Sequence, residues 1–490
     1  MPIATSKRLI RALRLTPMLA ALVVATPVAA QTDIEMLKQQ VAEQRRILDQ
    51  QQKMLDEQQK VIDRLEQQAA GKATSPPTEG VPVAPEPAPS KPLVEIYGTL
   101  YPLVENIAAT GATGSPPESR PNQLPAPAYT GADQGRRTRL TLGSSNIGFR
   151  GSVDVTGSFS AWWQVEAGAA IDGDSSGIGG TNVLGLRNSA VGLSGPFGTA
   201  LVGNWDTPYK WAALFSTALP AGQNFDDNSL IGNPGFGVFG TTTLSTRVNG
   251  KADAAFDRRQ GNSVQYWTPT WNGLAARFAY SFAEGKSAST SSPVIAPEVF
   301  SAAVSYENKP LVLRYTHEQH NDYFGMSQIG GAAPSATNVS SKDVGDKIVG
   351  SYSIGDTSVS AICERLGYSN DDTGAETNVR KYRRDAFYVT AEQKFAVGKL
   401  WLSYGKTSDG SCSTVGNGEC TTSGLGATEW VVGFVHKLNK YVELYAVYYD
   451  IRNRESGTYQ PVSAVNVPAN GMPAPGLNIQ SFGAGMFYAF

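Results

Sequence analysis

The sequence predicts an all-β fold, a 16-stranded antiparallel transmembrane β-barrel, preceded by an N-terminal α-helical coiled-coil extension. Three observations predict it. Residues 94–490 alternate apolar and polar side chains with period two, the pattern of strands whose two faces meet different media. The connections between these segments alternate between very short and long. Past residue 30 no apolar run reaches the ~20 residues of a spanning helix, so any membrane role falls to strands.

Residues 1–30 read as a secretory signal. Lys7, Arg8, Arg11 and Arg14 form a basic start, Leu15 to Pro27 an apolar stretch, and Val28-Ala29-Ala30 a small-residue cleavage site before Gln31. Pro17 and Pro27 interrupt the apolar stretch, which favours cleavage over membrane anchoring. Losing those four basic residues takes the net charge from −2 to −6. That acidic balance gives no support to a nucleic-acid partner. The 51 glycines with 20 tyrosines and 18 phenylalanines suit aromatic strands joined by tight turns.

Residues 31–68 carry Ile34, Val41, Leu48, Leu55 and Ile62 at seven-residue spacing, with Leu37 and Leu65 at the second seam position. Ile47, Met54 and Val61 widen the stripe, and Gln44, Gln51 and Gln58 weaken it. The pattern predicts a coiled coil of roughly 55 Å at 1.5 Å per residue, too polar to stand alone and therefore oligomeric. Residues 69–92 hold seven prolines, from Pro76 to Pro92, and predict an extended spacer.

Strands are expected at 93–101, 142–152, 158–168, 187–195, 199–205, 261–268, 273–282 and 300–307. Eight more follow at 310–318, 346–354, 357–367, 384–395, 398–407, 428–437, 441–451 and 479–490. Alternation is plainest where Leu274, Ala276, Phe278, Tyr280 and Phe282 oppose Ala275, Arg277, Ala279 and Ser281. Every second connection is tiny, as at Pro196–Gly198 or Gly355–Asp356. Those between are long: 102–141, 169–186, 206–260, 319–345, 408–427 and 452–478. Short turns on one rim and long loops on the other mark a membrane barrel. Sandwiches and propellers impose no such alternation. Both ends of the barrel segment fall on the short-turn rim, which places the coiled coil in the periplasm of an outer-membrane protein.

Other motifs carry less. Cys412 and Cys420 sit in a Gly/Ser/Thr-rich loop and predict a disulfide in an oxidising compartment, whereas Cys363 reads as inert strand packing. Gly235, Gly237 and Gly240 match a dinucleotide pattern without its strand–helix context, so a loop bend is expected. His317 and His320 point to opposite faces of a strand, which argues against a shared metal. Asp226–Asp227 reads as pore lining rather than an acid–base pair. No cofactor motif or compact catalytic constellation is found, and the chain is read as not an enzyme.

In order along the chain, "VEIYGTLY" (94–101), "SNIGFRGSVDV" (145–155) with "WWQVE" (162–166), "NSAVGLSGPFGTALVGNWDTPY" (188–209) and "DRRQGNSVQYWTPTWNGL" (257–274) resemble the Gram-negative trimeric general porin family of the Neisseria and Burkholderia type. The terminal "FGAGMFYAF", with Phe482, Tyr488 and Phe490 on one face, resembles the signal read by the barrel assembly machinery. The resemblance spans 94–490; the coiled coil and spacer lie outside it. It implies a homotrimer of sixteen-stranded barrels set among outer-membrane lipid and lipopolysaccharide, each narrowed by an inward loop three at about 206–260. It also implies a transverse field between basic wall residues and acids on that loop. By position the wall residue is Arg150; Arg277 and Arg314 join it on strand parity. Loop three offers Asp206, Lys210, Asp226, Asp227, Asp253, Asp257, Arg258 and Arg259. Where the family carries Gly-Arg-Gln this chain has Gly203-Asn204-Trp205, so one constriction arginine is missing.

The expected function is passive diffusion of small hydrophilic solutes. The alternative is an envelope tether whose coiled coil binds peptidoglycan or a periplasmic partner. Deleting residues 31–92 separates them: a pore keeps its single-channel conductance in planar bilayers, whereas a tether loses its envelope phenotype.

Overall fold

A computed structural model describes residues 94–113, 133–143, 145–169, 171, 184–185, 187–213, 229–236, 253–282, 286, 295–332, 338–418, 420–461 and 474–490. The predicted signal (1–30), coiled coil (31–68) and spacer (69–92) lie outside the described residues, as do Asp226, Asp227, Gly237 and Gly240.

Sixteen staves form one antiparallel sheet. They are β1 (Glu95–Leu100 continued by Leu103–Thr110), β2 (Gln134–Thr141 continued by Asn146–Thr156), β3 (Phe159–Gly168), β4 (Ser189–Gly195), β5 (Gly198–Asp206) and β6 (Arg259–Trp267). Next come β7 (Leu274–Ser281), β8 (Glu298–Asn308), β9 (Leu311–Asn321), β10 (Ser341–Ile354) and β11 (Thr357–Asn370). The last are β12 (Val379–Phe395), β13 (Gly398–Thr407), β14 (Ala427–Lys437), β15 (Val442–Asn453) and β16 (Asn478–Ala489). Each pairs with the next, and β16 pairs with both parts of β1, closing the cylinder. A short strand, Ser411–Thr414, extends the long-loop edge by pairing with β12.

All sixteen predicted strands are present, and several run further than expected toward the long loops. The first was expected to end at 101, yet Leu103–Thr110 continues it. Pro102 conceals the continuation, because it has no N–H for the ladder; its carbonyl still accepts from Met486 N at 3.1 Å. β10 begins at Ser341 and β12 at Val379 rather than 346 and 384. At that rim outward positions such as Lys342, Lys381 and Arg383 are charged, so the apolar signal of the strand has already faded.

Outward residues carry the exposed apolar surface: Phe278, Tyr280, Leu313, Tyr315, Leu400, Leu402, Trp430, Val432 and Phe434 are all well exposed. On a barrel these meet hydrocarbon. Cys363 belongs to this set. It is exposed, in register between Ile348 and Phe387, so it faces outward instead of packing inside. Strand parity decides this, since its inward neighbours are Ile362 and Glu364. His317 and His320 do point oppositely: His320 is buried beside Glu318, and His317 Nδ1 lies 2.9 Å from Asp346 at the outer face.

The seam rests on the last residue. Gly98 N donates to Phe490 O and Phe490 N to Gly98 O, both at 3.1 Å. A Cβ on Gly98 would lie 2.5 Å from Cζ of Phe490, so the glycine leaves room for the terminal ring. Phe482, Tyr488 and Phe490 are exposed outward, the last two with ring centroids 5.9 Å apart. Cys412 and Cys420, Cα atoms 5.9 Å apart, are disulfide-bonded in the connection after β13. Leu402→Arg, near the middle of β13, is expected to lower folding stability in lipid vesicles by about 2–4 kcal/mol. Urea titration of tryptophan fluorescence measures it, and an unchanged midpoint would place Leu402 away from lipid.

Candidate functional site

The connection after β5 turns into the barrel. Thr207 accepts from Lys210 N (3.3 Å) through its hydroxyl and starts a single helical turn, α1 (Pro208–Trp211), with Pro208 in the first turn. Tyr209 then reaches the inner wall. Its N–H donates to Ser301 Oγ on β8 (3.1 Å) and its hydroxyl to Glu364 on β11 (2.7 Å). Burial, reinforced by the Glu364 charge, pushes that phenol well above its ordinary pKa.

Glu364 is the centre of the attachment. Its carboxylate also accepts from Gly232 N at 2.9 and 2.8 Å and from Arg384 Nη2 of β12 at 2.9 Å. Arg384 donates in turn to the Leu230 carbonyl (2.9 Å) and to that of Asn233. Both side chains are fully buried. A buried ion pair persists only where further hydrogen bonds replace lost hydration, and loop three supplies them here. Ser229 donates to Glu429 of β14, and Tyr368 of β11 to the Ala254 carbonyl (2.6 Å). Below these bonds Ala212, Ala213 and Ile231 pack on Val349, Ile362, Ala386 and Tyr388 of the inner wall. Gly235, with φ of +81°, bends the loop against Tyr459 of the last long connection, as the sequence suggested for this glycine. Loop three is thus bound inside the cylinder at both its flanks.

Beside this attachment, from β3 to β9, the wall carries aromatic and guanidinium groups in contact. Trp162 of β3 lies over Gly192 of β4, where a Cβ would come within 2.5 Å of the indole. Ring centroids then run from Trp162 to Trp205 of β5 (5.7 Å) and on to Trp267 of β6 (5.9 Å). The Arg277 guanidinium of β7 lies 4.4 Å from the Trp267 centroid and 3.8 Å from that of Trp211 on loop three. Arg314 of β9 stands 3.9 Å from the same Trp211 ring. Two guanidiniums so near one centroid fit only on opposite faces of the indole. Trp267 Nε1 donates to Gln265 (3.1 Å), which holds that ring in place.

A family model described as Gram-negative porin matches residues 83–456. The chain belongs to the Gram-negative porin family. Outer membrane porin protein 32 of Delftia acidovorans is 24% identical to this porin over 71% of its chain and 86% of the relative. Among solved structures, the anion-selective porin from Comamonas acidovorans superposes with a TM-score of 0.58 at 19% identity, covering 81% of this chain and 99% of that one. A trimer form of OmpT, an outer membrane protein of Vibrio cholerae, covers the same shares at 0.50 and 16%. At these identities the likeness to the solved structures speaks for the fold alone.

In the porin, the basic wall residues read from the sequence separate into two groups. Arg277 and Arg314 meet at Trp211. Arg150 does not join them: it forks onto Glu95 through two 2.8 Å bonds and lies over Tyr97. The described loop-three charges pair with one another. Arg259 is 3.3 Å from Asp206, Lys210 is 3.2 Å from Asp257, and Arg258 is buried 3.2 Å from Asp253. Arg314 forks onto Glu307 at 3.0 and 2.7 Å. Arg277 alone of the wall set makes no ion pair with a described residue. Sequence reading passed over Glu364, Arg384, Tyr209 and the four tryptophans. Strand parity carried a signal for Trp162 and Trp267, which share the inward register of Gln164 and Gln265.

Glu364→Ala strands Arg384 without its counter-charge, at a cost of about 3–5 kcal/mol. It is expected to lower the melting temperature and to raise single-channel conductance as loop three loosens. A variant of wild-type conductance and melting temperature would show that the loop is held elsewhere.

Proposed function

We propose that this outer-membrane porin passes small hydrophilic solutes and ions passively, with an anion bias set by Arg277. One observation carries the bias. The described charges on loop three and its flanks are neutralised in pairs, whereas the Arg277 guanidinium is held by two indole faces with no described carboxylate at ion-pair distance. A fixed positive charge in a lumen with low-dielectric walls raises the local concentration of anions and repels cations. Loop three sets the size limit by occupying cross-section, and its buried anchor keeps that limit constant. Transport in this reading involves no chemical step, only exclusion and electrostatic bias.

A homotrimer is supported by the trimer form of the Vibrio cholerae neighbour, and the heptads of residues 31–68 offer a second contact between subunits. The start of β1 and the end of β16 share the short-turn rim, which supports a periplasmic position for the preceding residues. Outward Phe482, Tyr488 and Phe490 suit recognition by the barrel assembly machinery, and the exposed apolar belt suits contact with outer-membrane lipid and lipopolysaccharide. In a potassium chloride gradient, Arg277→Ala is expected to move the reversal potential toward the potassium value. Arg150→Ala should move it less, because Glu95 already neutralises that charge. Equal shifts for the two variants would place the bias elsewhere.

A further inference from the structure

The geometry points to a binding subsite in the lumen for anionic solutes that carry a flat ring, an aromatic carboxylate being the simplest. The inference rests on the channel reading and adds a substrate class to it.

Three indoles and two guanidiniums make one continuous surface from β3 to β9, joined by Trp211 from loop three. Each of the four indoles is partly exposed, so part of its surface remains for a solute. Trp162 lies flat because Gly192 beneath it has no side chain, and Trp267 is fixed by its bond to Gln265. These rings are therefore held in place before a solute arrives, which reduces the ordering cost of stacking. Flat π-faces attract rings of any sequence or substituent by dispersion and offset stacking.

Arg277 supplies the charge. Its guanidinium carbon lies 3.8 Å from the Trp211 centroid and 4.4 Å from the Trp267 centroid, contacts that use the cation against the ring faces and not its N–H edge. That edge makes no hydrogen bond to a described residue, and its N–H fork matches a carboxylate. Arg314 lacks this freedom, since Glu307 occupies its fork. A ring without charge would use the indoles and leave the fork idle; a small anion would do the reverse. Only a solute with both features satisfies the whole surface. It would pass from Trp162 or Trp205 to the Arg277 edge without leaving a stacked position.

The test is block of chloride current through the full-length protein in planar bilayers by benzoate, acetate and a neutral methyl glucoside. Benzoate should block at a concentration at least about tenfold below acetate or glucoside, the gain that one stacked ring provides. Trp205→Ala and Trp267→Ala should remove that advantage while chloride still flows, and Arg277→Ala should remove benzoate block altogether. Equal potency of benzoate and acetate would overturn the inference, as would block by the glucoside matching benzoate or an unchanged benzoate block in both tryptophan variants. Absence of any chloride conductance in the wild type would instead overturn the channel reading beneath it.

Discussion

Closure of the backbone hydrogen-bond ladder is the constraint from which the other features follow. Hydrocarbon offers no partner for an open strand edge, so β16 must find β1. The reciprocal bonds between Gly98 and Phe490 make that join with the final residue of the chain, and only a glycine leaves space for the terminal ring. Once the cylinder is closed, each side chain faces lipid or lumen according to its place in the period of two. A slip of one residue would put Arg277 and Arg314 into hydrocarbon and Phe278 and Leu313 into water.

Because the inner face is wetted, the lumen can hold charges and long side chains that a packed core would reject. Loop three uses this freedom and then removes part of it. Its attachment buries Glu364 and Arg384, a pair that survives because Tyr209 and Gly232 donate to the carboxylate and the loop carbonyls accept from Arg384 Nη2. Apolar contacts of Ile231 and Ala212 with the wall cover the same area from the side. The loop is thereby part of the wall. The tryptophans beside it depend on the same arrangement, since Trp211 reaches Arg277 and Arg314 only from a loop bound inward.

Period-two patterning made the staves legible because each side chain reports its own environment. It failed where that report is mixed. Past Pro102 the first strand continues with Glu105 inside, and near the long-loop rim Lys381 and Arg383 face outward beside polar headgroups or water. Cys363 was misread for a related reason: its residue type suggested burial, while its parity placed it outward. Arg150 matched a motif of the resembling family but found Glu95 across β1, a partner fixed by register and not by distance along the chain. Among candidate site residues, Arg277 and Arg314 followed from parity alone. Their meeting at Trp211 required a loop whose path no local pattern encodes.

The sequence by itself determined the fold class, the number of staves, the rim on which the long loops lie and the face each strand residue presents. These depend on nearest neighbours and on the choice between lipid and water, which composition and spacing record directly. Tertiary structure decided which charges remain available. Asp206 meets Arg259, Lys210 meets Asp257 and Glu307 meets Arg314, while Arg277 lies against two indoles with no ion-pair partner among the described residues. Pairing of that kind is set by distances of a few ångströms between segments far apart in the chain, and only the closed barrel with its loop inside brings them to those distances.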